Sequence, residues 1–88
     1  MNFGEAIQAL KNGFKVARVG WNGKGMWLIL VNRTVGANIR QNSAYANAGL
    51  ELVNICAHID MFTAQGEMQP GWLASQADML AEDWEIAE

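Results

Sequence analysis

Between Val53 and Met61 the chain alternates without a slip. Val53, Ile55, Ala57, Ile59 and Met61 are apolar, and Asn54, Cys56, His58 and Asp60 stand between them. A period of two sends successive side chains to opposite faces of an extended backbone, so the run predicts one long half-buried strand. Such a strand needs neighbours, and the chain supplies them. Met26-Trp27-Leu28-Ile29-Leu30-Val31 is a continuous apolar run of strand length, which makes it a central strand or one covered by a neighbouring subunit. Lys15 to Val19 reads as a strand leading into a glycine-rich loop. Gln65-Gly66 turns the chain into a short strand over Glu67 to Gln69, which Pro70-Gly71 breaks. Trp84 and Ile86 alternate with Glu85 as a last strand.

Two segments carry helix signals instead. Asn2 has the chemistry of an N-cap, Glu5 completes its capping box, and Gly13 stands as the C′ residue, with Phe3, Ile7 and Leu10 as the buried stripe. Near the other end, Ser75 is an N-cap with Asp78 as the capping-box acid; Met79 and Leu80 follow as an apolar face, and Glu82-Asp83 end the turn. Order this close to a terminus, where chains usually fray, implies that the Trp72–Trp84 block is bolted into the domain and its working site. Residues 32–49 are polar and small and read as a long connection with a weak helix over Arg40 to Ala48, so 32–55 is expected to be a variable loop region. The layout predicts an α+β fold: one domain over residues 1–88, a small antiparallel β-sheet, an N-terminal helix and a short C-terminal helical turn.

Composition adds a constraint on assembly. Of 88 residues, 51% are hydrophobic, including four tryptophans and five methionines. A domain this small leaves much of its surface unburied, so the surplus points to a ligand pocket or a subunit interface, and the protein is expected to be a homo-oligomer. The net charge is −3, and Lys11, Lys15, Arg18, Lys24, Arg33 and Arg40 are scattered. Binding to DNA or RNA rests on neutralising many phosphates, so it is not expected; one small anionic ligand is compatible with this charge. A single cysteine, Cys56, excludes an intramolecular disulfide and a cysteine-based zinc site. Without a secretory signal or an apolar run of about 20 residues, the chain is expected in the cytosol and away from membranes.

Several residues invite a chemical reading. Cys56, His58 and Asp60 share a predicted strand face, but residues two apart lie about 6.5–7 Å apart, too far for a direct nucleophile–base hydrogen bond. A half-buried His58–Asp60 pair that fixes register or a subunit contact is the simpler account, with no catalysis, metal or cofactor. The carboxylates Glu82, Asp83, Glu85 and Glu88 are nearly consecutive and read as a solvated terminus. Gly20-Trp21-Asn22-Gly23-Lys24-Gly25 is richer: Trp21 offers a π-face for a purine, and Asn22 a donor and an acceptor for a base edge or ribose. The alternative is an ordinary hairpin with Trp21 folded back on the sheet. At Ser75-Gln76, the free N–H groups of a helix start suit a phosphate, although Asp78 competes for them; a plain structural cap is the alternative. Arg18 is the other candidate counter-charge. Trp27 reads as core, Trp84 as packed in the sheet, and Trp72 as a pocket wall or an interface plug.

The opening Met1-Asn2-Phe3-Gly4-Glu5-Ala6, the Gly20–Gly25 loop, the run His58-Ile59-Asp60-Met61 and the Trp72–Trp84 block, in this order and spacing, resemble the second class of Thoeris anti-defence proteins, small phage-encoded domains long catalogued as of unknown function. The resemblance covers residues 1–31 and 56–88. It implies a sponge, not an enzyme: a homotetramer that binds a cyclic ADP-ribose isomer, and in some members cyclic dinucleotides at a separate site, within the cytoplasm of the infected bacterial host. Ligand pockets lie at subunit junctions in that family. The candidate ligand-binding residues are then Trp21, Asn22, Arg18, Met26, Trp72, Ala74, Ser75, Gln76 and Asp78. Two other readings remain at this point, a protein-interaction module that inhibits a host protein through an apolar surface, and a small nucleotide hydrolase using His58 and Asp60.

Overall fold

Helix α1 (Phe3–Lys11) starts where the sequence places it. The Asn2 side chain accepts from the Glu5 N–H at 2.8 Å and the Glu5 carboxylate accepts from the Asn2 N–H at 2.9 Å, a closed capping box. Gly13 follows the Asn12 C-cap with φ +91°. In the computed structural model, which describes residues 1–88, α1 lies on one face of a five-stranded sheet. Its strands are β1 (Val16–Arg18), β2 (Trp27–Val31), β5 (His58–Phe62), β6 (Met68–Gln69) and β7 (Trp84–Ile86), in the order β6-β5-β2-β1-β7 with every pairing antiparallel. The expected α+β architecture is thus what the chain adopts, and the apolar run 26–31 forms its central strand.

The core lies between α1 and this sheet. Ala6, Ala9 and Leu10 of the helix meet Val16, Leu28 and Trp84, and Phe3, Ile7, Trp21, Trp72 and Met61 pack around them. Register explains which strand residues point inward: Val16 sits opposite both Leu28 and Ile86, and Leu28 opposite Met61. Trp27 occupies the alternate position and therefore faces away from α1, which corrects its reading as core. It stacks parallel on Phe62, centroids 4.8 Å apart at 4°, with the Lys15 ammonium 4.8 Å from the Trp27 centroid.

Residues 32–55 depart from the loop expected there. They form a second, two-stranded sheet, β3 (Thr34–Asn38) with β4 (Leu52–Ile55), around a short helix α2 (Ala44–Asn47) capped by Ser43. The long strand predicted over 53–61 is consequently split at the exposed pair Cys56-Ala57: β4 belongs to the outer sheet and β5 to the main one. Alternation requires only that the backbone be extended. It does not name the pairing partner, so one unbroken pattern serves two sheets. Helix α3 (Gln76–Leu80) has the predicted Ser75–Asp78 capping box and precedes β7.

Candidate functional site

The corner that follows β1 is built by one arginine and two aspartates from the far end of the chain. A single 3-10 turn, Val19–Trp21, ends on Asn22 in the left-handed region (φ 58°, ψ 36°), which folds the loop back towards the sheet. Arg18 donates through Nε to Asp83 Oδ1 and through Nη1 to Asp78 Oδ1, each at 2.9 Å. The second Asp83 oxygen accepts the Gly20 N–H at 2.7 Å, and the Asp83 carbonyl accepts from Val19 N–H at 3.1 Å. A Cβ on residue 20 would stand 2.8 Å from Asp83 Oδ2, so a side chain there would push this carboxylate away from the Gly20 N–H. The aspartates are held ionised. Bonds from Arg18 and the Gly20 N–H lower the pKa of Asp83. Burial alone would raise that of Asp78, but bonds from Arg18 and Ser75 outweigh it and the net direction is down. Hydrogen bonds to Asp83 and Asp78 raise the Arg18 pKa in return.

Beneath the corner the aromatic side chains interlock. Trp21 meets Trp84 edge-on at 5.4 Å and Trp72 at 6.5 Å, Trp72 meets Trp84 at 6.1 Å, and Phe3 lies 5.6 Å from Trp84. Trp84 is buried, and its indole N–H donates to the Asp78 carbonyl at 2.9 Å. Trp21 is thus folded back against the core with part of its surface free.

That free surface faces a cavity of about 770 Å³ between the Gly20–Gly25 loop, β1 and the segment from β7 onward. Of the residues expected to bind ligand, Arg18, Trp21 and Met26 line it. Trp72 and Asp78 stand behind that wall, through Trp21 and Arg18 respectively. Asn22 is exposed and lies outside the lining. Ala74, Ser75 and Gln76 lie at the start of α3, outside the lining, where the Ser75 hydroxyl accepts from the Asp78 N–H at 3.0 Å. The structure therefore brings together three of the nine and connects two more to them. Lys24, Glu85 and Glu88 also line the cavity and had no role in the sequence reading. The available signal for Lys24 was its place as the one charged residue of the glycine loop. For Glu85 there was none, because its place follows from the pairing of its strand with β1, which sets Glu85 opposite Ala17.

His58 and Asp60 do form a pair, Nε2 to Oδ1 at 3.4 Å, while His58 Nδ1 lies 2.8 Å from the Cys56 carbonyl and Asp60 also accepts the Gly71 N–H at 3.1 Å. The Cys56 side chain is exposed and lies outside β5. The pair secures the link between β5 and the 70–72 segment, where the Trp72 N–H donates to the Ile59 carbonyl at 2.7 Å. No helix is long and apolar enough to cross a membrane.

Comparison with known proteins bears on what such a corner is for. Residues 1–87 match the family described as the Thoeris anti-defense 2-like domain. A curated relative, Thoeris anti-defense 2 from Bacillus phage SP01, is 38% identical over 88 residues, spanning 98% of this chain and 93% of the relative.

Proposed function

The chain belongs to the Thoeris anti-defense 2-like family, and from that premise we propose that it counters Thoeris defence as a non-catalytic sponge, binding a cyclic ADP-ribose-type signal inside the infected bacterium. The observation that carries this reading is the cavity beside Trp21. Its volume of about 770 Å³ falls within the range of small-molecule sites, and its lining mixes indole and methionine surface with a few charged groups. A base would rest against Trp21, next to Met26, and Asn22, the next residue of the loop, would offer a donor and an acceptor to its polar edge. The wall is rigid before any ligand arrives, because Arg18, Asp78 and Asp83 tie the loop to the end of the chain. Preorganisation of this kind favours tight binding and slow release, which a sponge requires.

In this reading the protein works as a homotetramer. Only 7 of 88 residues are buried within one chain, and contacts between copies would cover part of the apolar surface left exposed. The exposed Ser75 and Gln76 at the start of α3, with the half-buried Ala74 before them, would reach the cavity of a neighbouring copy, and Trp72 would support the shared wall. A second reading is favoured by the apolar side chains of the outer sheet, Val35 at 66% and Leu52 at 58% exposed: a module that blocks a host protein.

One experiment separates these. The protein is incubated with cyclic ADP-ribose isomers, the free ligand is measured, and the complex is then heat-denatured. Depletion followed by release of intact ligand is expected. Altered ligand would mean an enzyme, and no depletion would leave the protein-blocking module.

A further inference from the structure

Two cations line the cavity, Arg18 and Lys24, and they are not equivalent. Arg18 is held by Asp83 and Asp78 at 2.9 Å each, so one positive charge faces two negative ones and the cluster is one unit negative. A phosphate approaching Arg18 would meet that surplus of negative charge beside it. Lys24 has no such partner: the ion pairs of the chain engage Arg18 and His58, and Lys24 takes part in none. It stands between Gly23 at φ +65° and Gly25 at φ +76°, where a Cβ on either glycine would have nothing within 4 Å. These left-handed glycines, a conformation an L side chain rarely adopts, set the course of the loop, and Lys24 between them lines the cavity.

Resting on the nucleotide-binding reading above, we infer that Lys24 supplies the counter-charge for the anionic part of the ligand, a diphosphate, and that Arg18 is a positioning residue that holds the wall. The remaining charged groups of the lining, Glu85 and Glu88, repel phosphate and accept hydrogen bonds from hydroxyls. They fix the sense of binding: the diphosphate lies towards the glycine loop and the ribose hydroxyls towards β7. The site thus selects a ligand with one compact anionic group and a hydroxyl-rich remainder, and disfavours one with phosphates at both ends.

The test is calorimetric titration of a cyclic ADP-ribose isomer into the wild-type protein, Lys24→Ala and Lys24→Arg, each at low and high salt. Loss of one charge-assisted contact is expected to weaken Lys24→Ala by about ten- to a hundred-fold. Most of the salt sensitivity of the wild type should go with it, and Lys24→Arg should bind close to wild type. Equal binding by wild type and Lys24→Ala, or equal loss in both variants, overturns the assignment while leaving the nucleotide reading in place. A wild-type protein that takes up no ligand fails that reading itself, and the assignment with it.

Discussion

Asp83 does not line the cavity, yet it ties together the corner beside it. One carboxylate joins Arg18 to the Gly20 N–H, and its backbone carbonyl holds Val19. Its depressed pKa, like that of Asp78, means that the unfolded chain binds protons more readily than the folded one. The stability these groups contribute is complete above the ordinary carboxylate value of about 4 and is lost as pH falls through their lower folded-state values. Asp83→Asn is expected to melt lower than wild type at neutral pH and to show a shallower fall in melting temperature between about pH 5 and pH 2. A variant that parallels wild type across that window would deny the carboxylate this role. Trp21→Ala should act on two properties at once. It removes a half-buried indole in edge contact with two others, at a cost of about 1–3 kcal/mol, and it strips the cavity wall, so ligand uptake should fall by more than the loss of stability explains. Normal uptake by a variant that only melts earlier would move the base elsewhere.

Among the elements, those set by neighbouring residues were legible in the sequence. The capping boxes at Asn2–Glu5 and Ser75–Asp78 depend on contacts three residues apart, and both formed. Ser75→Ala should cost about 1 kcal/mol in thermal unfolding, a loss that Ser75→Asn largely avoids. If the two variants behave alike, the hydroxyl caps nothing in solution. What required distant partners was hidden. Arg18 lies 60 and 65 residues from the aspartates that bind it, and no local pattern joins them. The stretch 53–61 was legible as strand but not as two strands, because pairing is a property of the neighbour. The outer strand β3 was missed altogether: Thr34-Val35-Gly36-Ala37-Asn38 contains a glycine, an asparagine and only two apolar side chains, and it shifts register within its pairing. Of the candidate ligand residues, Arg18, Trp21 and Met26 line the cavity, whereas Asn22 and, at the start of α3, Ala74, Ser75 and Gln76 lie outside the lining.

Seen whole, the molecule is long. Its radius of gyration is 15.2 Å with extents of 44 × 26 × 24 Å, against about 12 Å for a compact domain of this length. The excess comes with an outer sheet, β3 with β4, in which no residue is buried, although two strands alone are marginal in water. Light scattering at micromolar concentration should therefore report more than one copy per particle, with four expected, and Leu52→Lys with Val35→Lys should shift the particles towards monomer. A wild-type protein that is monomeric at that concentration would remove the neighbouring copy from the site. The pairing of β1 with β7 has a consequence of another kind, in the order of events at the ribosome. Arg18 pairs with Trp84, and Trp84 is the largest side chain the core encloses. While the chain is being made, α1, β1 and β2 wait with an open sheet edge and a gap where that indole belongs, and contacts this far apart in sequence form late. A chain stopped a few residues short of Trp84 lacks the largest side chain of the core and the β7 side of the cavity, and is expected to fold poorly until both are supplied.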